Sequence, residues 1–301
     1  MKAYIFLIIT VIIFTGNILV GKALEDIPPF TIAFLRVGIA LAVVLPIGWK
    51  QAVRHREVFR SEWKPLLGLA LTGVAFFNAF IYLSLKYTSA SNVAILESSI
   101  PVVTIAASFF LFQERLKGYQ WAGVVLSVGG AVWVITDGSM EVIRSLSFNR
   151  GDVIMLAAVA VWVIYSFLVK MHMFKFPAYG SLLVMLAAAT LVLLPFAAVE
   201  TILYGLPPID GYQDAAGIAY LGIFPSVIAL LLWNRSIAEI GASQSSVFLN
   251  LLPVFTMAGA YIFLGDTITW TQAGGAVVVI SGVMLTTRKS IGFRRIKKHN
   301  E

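Results

Sequence analysis

The chain has 301 residues, of which 59% are apolar and 12% charged, with a net charge of +7 and no cysteine; its mean hydropathy is +0.89. Soluble domains carry roughly 25% charged residues, so a water-facing globule is excluded, and the same numbers exclude a disordered chain, which would be polar and highly charged. The lack of cysteine excludes a disulfide scaffold, which leaves an integral membrane protein.

A spanning helix needs about 20 apolar residues. In chain order, the apolar runs predict helices at 4–22, 30–49, 65–86, 91–112, 119–136, 152–171, 178–199, 214–236, 243–264 and 270–287. Such runs must be helical, because every backbone amide in lipid has to be paired within its own segment. Barrel strands of about ten residues would alternate in polarity, and these runs do not. The first run follows Lys2 but has no small-x-small cleavage site; it continues through Asn17, Ile18, Leu19 and Val20. It therefore reads as a retained spanning helix and not as a signal peptide.

Basic residues orient the bundle, because cytoplasmic loops hold more Lys and Arg. With the N-terminus inside, seventeen of the 22 basic residues fall on the inner side and four on the outer, while Arg36 lies within a helix. Both termini are expected in the cytoplasm of a bacterial cell, with the protein in its inner membrane. The basic run from Arg288 to Lys298 abuts the last helix. It reads as a topology signal in contact with anionic lipid, so no nucleic-acid partner is expected.

The chain also repeats itself. At an offset of 152, Pro101 falls on Pro253, Gln120 on Gln272, Gly123 on Gly275, Gly130 on Gly282 and Glu114 on Asp266. Nearer the N-terminus the offset is 148, with Pro29 on Pro177, Lys22 on Lys170 and Phe14 on Trp162. The expected organisation is one repeat at 4–137, a second at 152–288 and a basic tail at 289–301. Five helices per repeat is an odd number, so the second half returns inverted. Inverted repeats are a recurrent basis of alternating access, with the site between the halves near the midplane. Thr269 and Gln272 have capping-box spacing at the last helix, and Gln120 stands at the matching place in the first half, where Lys117 replaces the threonine.

The stretch from Ala90 reads A-S-N-V-A-I-L-E-S-S-I-P, then E-R-L-K-G-Y-Q-W-A-G and S-V-G-G-A; from Ala242 the chain reads A-S-Q-S-S-V-F-L-N-L-L-P, then G-D-T-I-T-W-T-Q-A-G-G and S-G-V. With F-L-R-V-G around Arg36, this pattern resembles the EamA-type, ten-helix members of the drug/metabolite transporter superfamily, and among them bacterial exporters of amino acids and related metabolites. The resemblance implies an all-α membrane fold of ten helices in two inverted repeats. It implies a central cavity lined by helices 1, 3, 4, 6, 8 and 9, with helices 5 and 10 as a supporting edge. In two places the halves differ: Arg36 aligns with Val184, and Glu97 with Leu249.

Ionisable groups within spans are costly and usually functional. Arg36 and Glu97 each lie about seven residues into helices that start on the same side, so at 1.5 Å per residue they share a depth of about 10 Å. They read either as an ion pair fixing helices 2 and 4, or as a binding pair for the carboxylate and amine of a zwitterion. Glu97 is also a candidate proton carrier. Pro101 and Pro253 kink helices 4 and 9 and read as a shared hinge. Candidate substrate contacts are Asn17, Asn78, Tyr82, Glu97, Trp162, Tyr165, Asn234, Ser246 and Asn250, with Ser166 beside them, all polar groups on helices of the expected cavity. The pairs Asn78/Tyr82 and Ser246/Asn250 each share a helix face, and interhelical packing is the alternative use of each. Gly123, Ser127 and Ala131 form a small-residue stripe suited to close helix approach, and the chain reads as a monomer or weak homodimer. No metal-ligand cluster, Ser-His-Asp set or phosphate-binding loop stands out, so no cofactor and no enzymatic chemistry are expected. The expected function is an alternating-access exporter of small amphipathic metabolites, amino acids including aromatic ones first. Drugs or other metabolites are the alternative cargo, and a membrane-embedded enzyme or a non-transporting scaffold the remote ones.

Overall fold

A computed structural model describes residues 2–88, 90–113, 116–145, 149–207, 209, 211–264 and 267–287. The basic tail at 289–301 and the Glu114/Asp266 pair lie outside the described residues. The described chain is helical throughout, with no strand among the described residues. The helices are α1 (Lys2–Ala23), α2 (Pro29–Arg54), α3 (Trp63–Leu85), α4 (Ala90–Glu97 and Ile100–Phe112), α5 (Gly118–Ile135), α6 (Arg150–His172), α7 (Ala178–Tyr204), α8 (Tyr212–Ile240), α9 (Ala242–Ser246, Val247–Leu251 and Leu252–Leu264) and α10 (Trp270–Thr287). Among the described residues nine helices are long and apolar enough to cross a membrane; α9, broken by a 3-10 stretch, is the run outside that set. The chain is an all-helical integral membrane protein.

Most ends fall within a few residues of the hydropathy pattern. The seventh helix is longer than expected, ending at Tyr204 and not at 199. Glu200, just past the expected end, stays within the helix because its carboxylate is satisfied by another helix. It accepts hydrogen bonds from the Phe30 and Thr31 backbone amides at 3.2 and 2.7 Å and from Thr31 Oγ1 at 2.9 Å. Those amides are free because they open α2, whose cap, Pro28, offers no side-chain acceptor. A carboxylate there also complements the helix dipole.

Helices that correspond in the two halves of the sequence pack on one another: α2 runs along α7, and α5 along α10. The α5–α10 contact is a backbone approach. A Cβ added at Gly123 would stand 2.7 Å from the Gly282 carbonyl oxygen, and one at Gly282 would stand 2.4 Å from the Ser127 nitrogen. The small-residue stripe of α5 is thus covered by α10 of the same chain. The capping box at α10 is present, with Thr269 N donating to Gln272 Oε1 at 3.2 Å and Gln272 N to Thr269 Oγ1 at 3.1 Å. In the first half, Gln120 accepts from Lys117 N at 3.0 Å and turns its amide to the Thr286 carbonyl at 3.1 Å.

Four of the helices around the interior, α3, α4, α8 and α9, are discontinuous where the α5–α10 pair is regular. A π-helical stretch occupies Ala70–Phe76 of α3, and another occupies Phe224–Ala229 of α8; the 152 offset carries the first onto 222–228. Helix α4 breaks after Glu97 and resumes at Ile100, while α9 narrows to a 3-10 helix at Val247–Leu251. Both of these breaks immediately precede a proline, Pro101 or Pro253, whose ring cannot complete the ladder behind it.

Candidate functional site

The four discontinuities surround one cavity. It is narrow, about 30 Å³, and is lined by α1 (Phe14, Asn17), α2 (Arg36), α3 (Gly73, Phe77, Asn78), α4 (Glu97), α6 (Trp162), α8 (Ser226, Leu230) and α9 (Leu249). That volume holds a water or two, well below the roughly 300 Å³ of an ordinary ligand pocket. A wider cavity of about 260 Å³ lies between α4, α5 and α9 and shares Ile18, Glu97 and Leu249 with the first. Glu97 and Leu249, repeat counterparts, therefore stand together where the two cavities meet.

Arg36 is 3% exposed and makes the densest polar cluster of the site. Its Nε donates to Ser226 Oγ at 2.9 Å; the two hydrogens of its Nη1 are shared among Asn17 Oδ1, Asn78 Oδ1 and Tyr82 OH at 2.9, 2.7 and 2.8 Å. Tyr82 OH also donates to Asn17 Oδ1 at 3.3 Å. Every one of these partners is neutral, and no described residue accepts from Nη2. The expected Arg36–Glu97 ion pair is not formed among the described residues: both groups line the cavity, and no hydrogen bond or ion pair reaches the Glu97 carboxylate. A buried charge without a countercharge is expensive. Here the guanidinium and the Glu97 carboxyl group line one cavity and remain apart.

Aromatic rings close the rest of the wall. Trp162 is 2% exposed and lies against Phe77, Tyr165, Trp233 and Phe14 with centroids at 4.3, 5.3, 5.4 and 5.9 Å. The Nε1 atoms of Trp162 and Trp233 are buried without a partner among the described residues. Tyr165 OH donates to Asn234 Oδ1 at 2.6 Å, so this pair joins α6 to α8 beside the cavity and not in its lining.

Of the residues singled out from sequence, the structure gathers Asn17, Arg36, Asn78, Tyr82, Glu97 and Trp162 around one centre. Ser246 and Ser166 turn back on their own helices, to the Ser243 and Trp162 carbonyls. Asn250 donates to Ser127 Oγ on α5 at 2.9 Å. Pro101 opens the second piece of α4, and Pro253 lines the wider cavity. Sequence reasoning missed Ser226, which holds Arg36 from within the α8 π-helix; its signal was a lone hydroxyl beside Pro225 in an apolar run. It also missed Phe14, Phe77 and Trp233, whose apolar rings carry no signal apart from their place on cavity helices.

Comparison with known proteins agrees with this architecture. A solved crystal structure aligns over 95% of this chain and 96% of its own with a TM-score of 0.75 at 20% identity, a likeness of fold. An uncharacterized transporter of Archaeoglobus fulgidus is 30% identical, covering 96% of this chain and 98% of the relative. The uncharacterized transporter YyaM of Bacillus subtilis is 32% identical over 90% and 87%. A probable terminal-alkyne amino-acid exporter of Streptantibioticus cattleyicolor is 24% identical over 91% and 87%. The sequence model of the EamA-like transporter family matches residues 1–136 and 149–288, and the chain belongs to that family.

Proposed function

We propose that this transporter exports zwitterionic amino acids with apolar side chains, aromatic ones included, by alternating access across a bacterial inner membrane with both termini in the cytoplasm. One observation carries the reading: Arg36 and Glu97 line the same cavity without pairing. A guanidinium and a carboxyl group that face one cavity are complementary to the two poles of a zwitterion. Four neutral oxygens hold the guanidinium through Nε and Nη1, so Nη2 is left for the substrate carboxylate. Glu97 faces the ammonium, and the Phe14, Phe77 and Trp162 rings take the side chain. The amino-acid exporter among the relatives supports the cargo class, and the excess of basic residues on one side supports the orientation.

In this mechanism the five-helix halves rock about the centre. The breaks in α4 and α9 and the π-helical stretches in α3 and α8 absorb the motion, and Pro101 and Pro253 act as paired hinges. Counterflow of labelled amino acids in proteoliposomes tests the proposal. Leucine- and tryptophan-like substrates should exchange, and their carboxamides and N-acetyl derivatives, each missing one pole, should fail to compete. Arg36→Lys, which changes the fork of donors and keeps the charge, should weaken half-saturation at least about tenfold, the worth of one charge-assisted hydrogen bond. Exchange of no amino acid, or equal competition by the masked analogues, would overturn the reading.

A further inference from the structure

Away from the central site, a third cavity opens between the first turns of α1, the α6–α7 connection and the second half of α8. Its volume is about 630 Å³, and Phe6, Phe174, Tyr179, Ile228, Leu231 and Arg235 are among its lining. From α8 the lining includes Val227 and Ile228 in the π-helical stretch, Leu231 a turn further on and Arg235 a turn beyond that. Arg235 lies five residues before the end of α8 at Ile240, about 7–8 Å from the helix terminus, the depth at which long basic side chains reach an interface.

The charge at the top of this groove is uncommitted. Lys175, on the same connection, is paired with Glu62 at 2.6 Å. Arg235 is exposed, its guanidinium carbon stands 6.0 Å from the Phe6 ring, and among the described residues it has no carboxylate partner. The Tyr179 side chain, 42% exposed, lines the same groove, and its hydroxyl makes no hydrogen bond to a described residue. Phe174, 75% exposed, flanks it, as an aromatic residue does at a lipid interface. A groove with a guanidinium and a phenol hydroxyl in its lining and otherwise mostly apolar walls matches one molecule, with a phosphate head and an acyl chain.

We infer that this groove is a binding site for an anionic phospholipid, with the phosphate on Arg235 and Tyr179 and one acyl chain along Leu231, Ile228 and Val227. Basic pockets between spanning helices bind such headgroups. The inference is independent of the cargo, and its test needs no transport. The full-length protein in a neutral detergent is titrated with dioleoyl phosphatidylglycerol, dioleoyl phosphatidylcholine or inorganic phosphate, and bound adducts are counted by native mass spectrometry. Phosphatidylglycerol should be retained in preference to phosphatidylcholine, and phosphate alone should not compete. Arg235→Gln should weaken retention roughly fivefold, the worth of one basic group at the membrane surface. Leu231→Trp, which fills the groove and keeps the charge, should weaken it too, and Arg54→Gln at the end of α2 should leave it unchanged. Equal retention of both lipids, equal retention by wild type and Arg235→Gln, or competition by inorganic phosphate would overturn it.

Discussion

The α5–α10 pair and the helices around the cavity are built on opposite principles. In the pair, glycine meets backbone, the ladders are unbroken and both helices begin with a glutamine turned back on the chain. Around the cavity, each of α3, α4, α8 and α9 contains a break or a change of winding. Close backbone contact leaves no slack, because packed interiors respond to even a methylene. Interrupted ladders leave peptide groups free to exchange partners, which is why π-helical turns gather at functional sites. In the proposed mechanism the close-packed edge keeps the halves in register, and the interrupted helices are where bending would occur.

Four substitutions test that contrast. The largest effect on stability is expected from Gly282→Ala, whose methyl would enter the space of the Ser127 backbone. Overpacking of this kind costs about 1–3 kcal/mol. Thermal unfolding in detergent should show the loss, while substrate selectivity per folded molecule stays unchanged; a selectivity change would mean that the edge takes part in the site. Pro101→Ala and Pro253→Ala act on the bending region. Each is expected to move stability by less than about 1 kcal/mol and to change the rate of counterflow, and unaltered kinetics in both would remove the hinges from the mechanism. The smallest effect belongs to Asp137, in the loop after α5, which accepts from the Thr269 and Thr271 hydroxyls at the start of α10. Those bonds hold its carboxyl below the ordinary aspartate range. A folded-state value below the unfolded one stabilises at neutral pH, and that stabilisation is lost as the pH falls through the folded value. Asp137→Asn should therefore flatten, slightly, the acid limb of a plot of unfolding midpoint against pH.

Much of this architecture is legible in the sequence, because lipid forces each span to be apolar and helical and so writes the spans into hydropathy. The cavity helices were legible through polar residues stranded in those runs: Asn17, Arg36, Asn78, Tyr82, Glu97 and Trp162 meet around one centre. The exceptions have physical reasons. The run at 178–199 continues to Tyr204, and the partners that satisfy Glu200 within it, the first amides of α2, are about 170 positions away in the chain. Ser246 and Asn250 share a face only if the winding is α-helical. The 3-10 turn at Val247–Leu251 has three residues per turn, so Asn250 is rotated toward Ser127 instead. Helical spacing establishes which residues are neighbours on a face and is silent on which way that face turns, so the four-way grip on Arg36 could not be read from spacing.

The π-helical stretch of α3 has a consequence for this grip. A π-turn holds one residue more than an α-turn, so everything beyond Ala70–Phe76 is out of phase with what precedes it by about 100°. Asn78 and Tyr82 lie beyond it. Their orientation toward the guanidinium is thus set by a residue count, and shortening α3 by one position within the bulge would swing both side chains a quarter turn away from Arg36 without altering either of them.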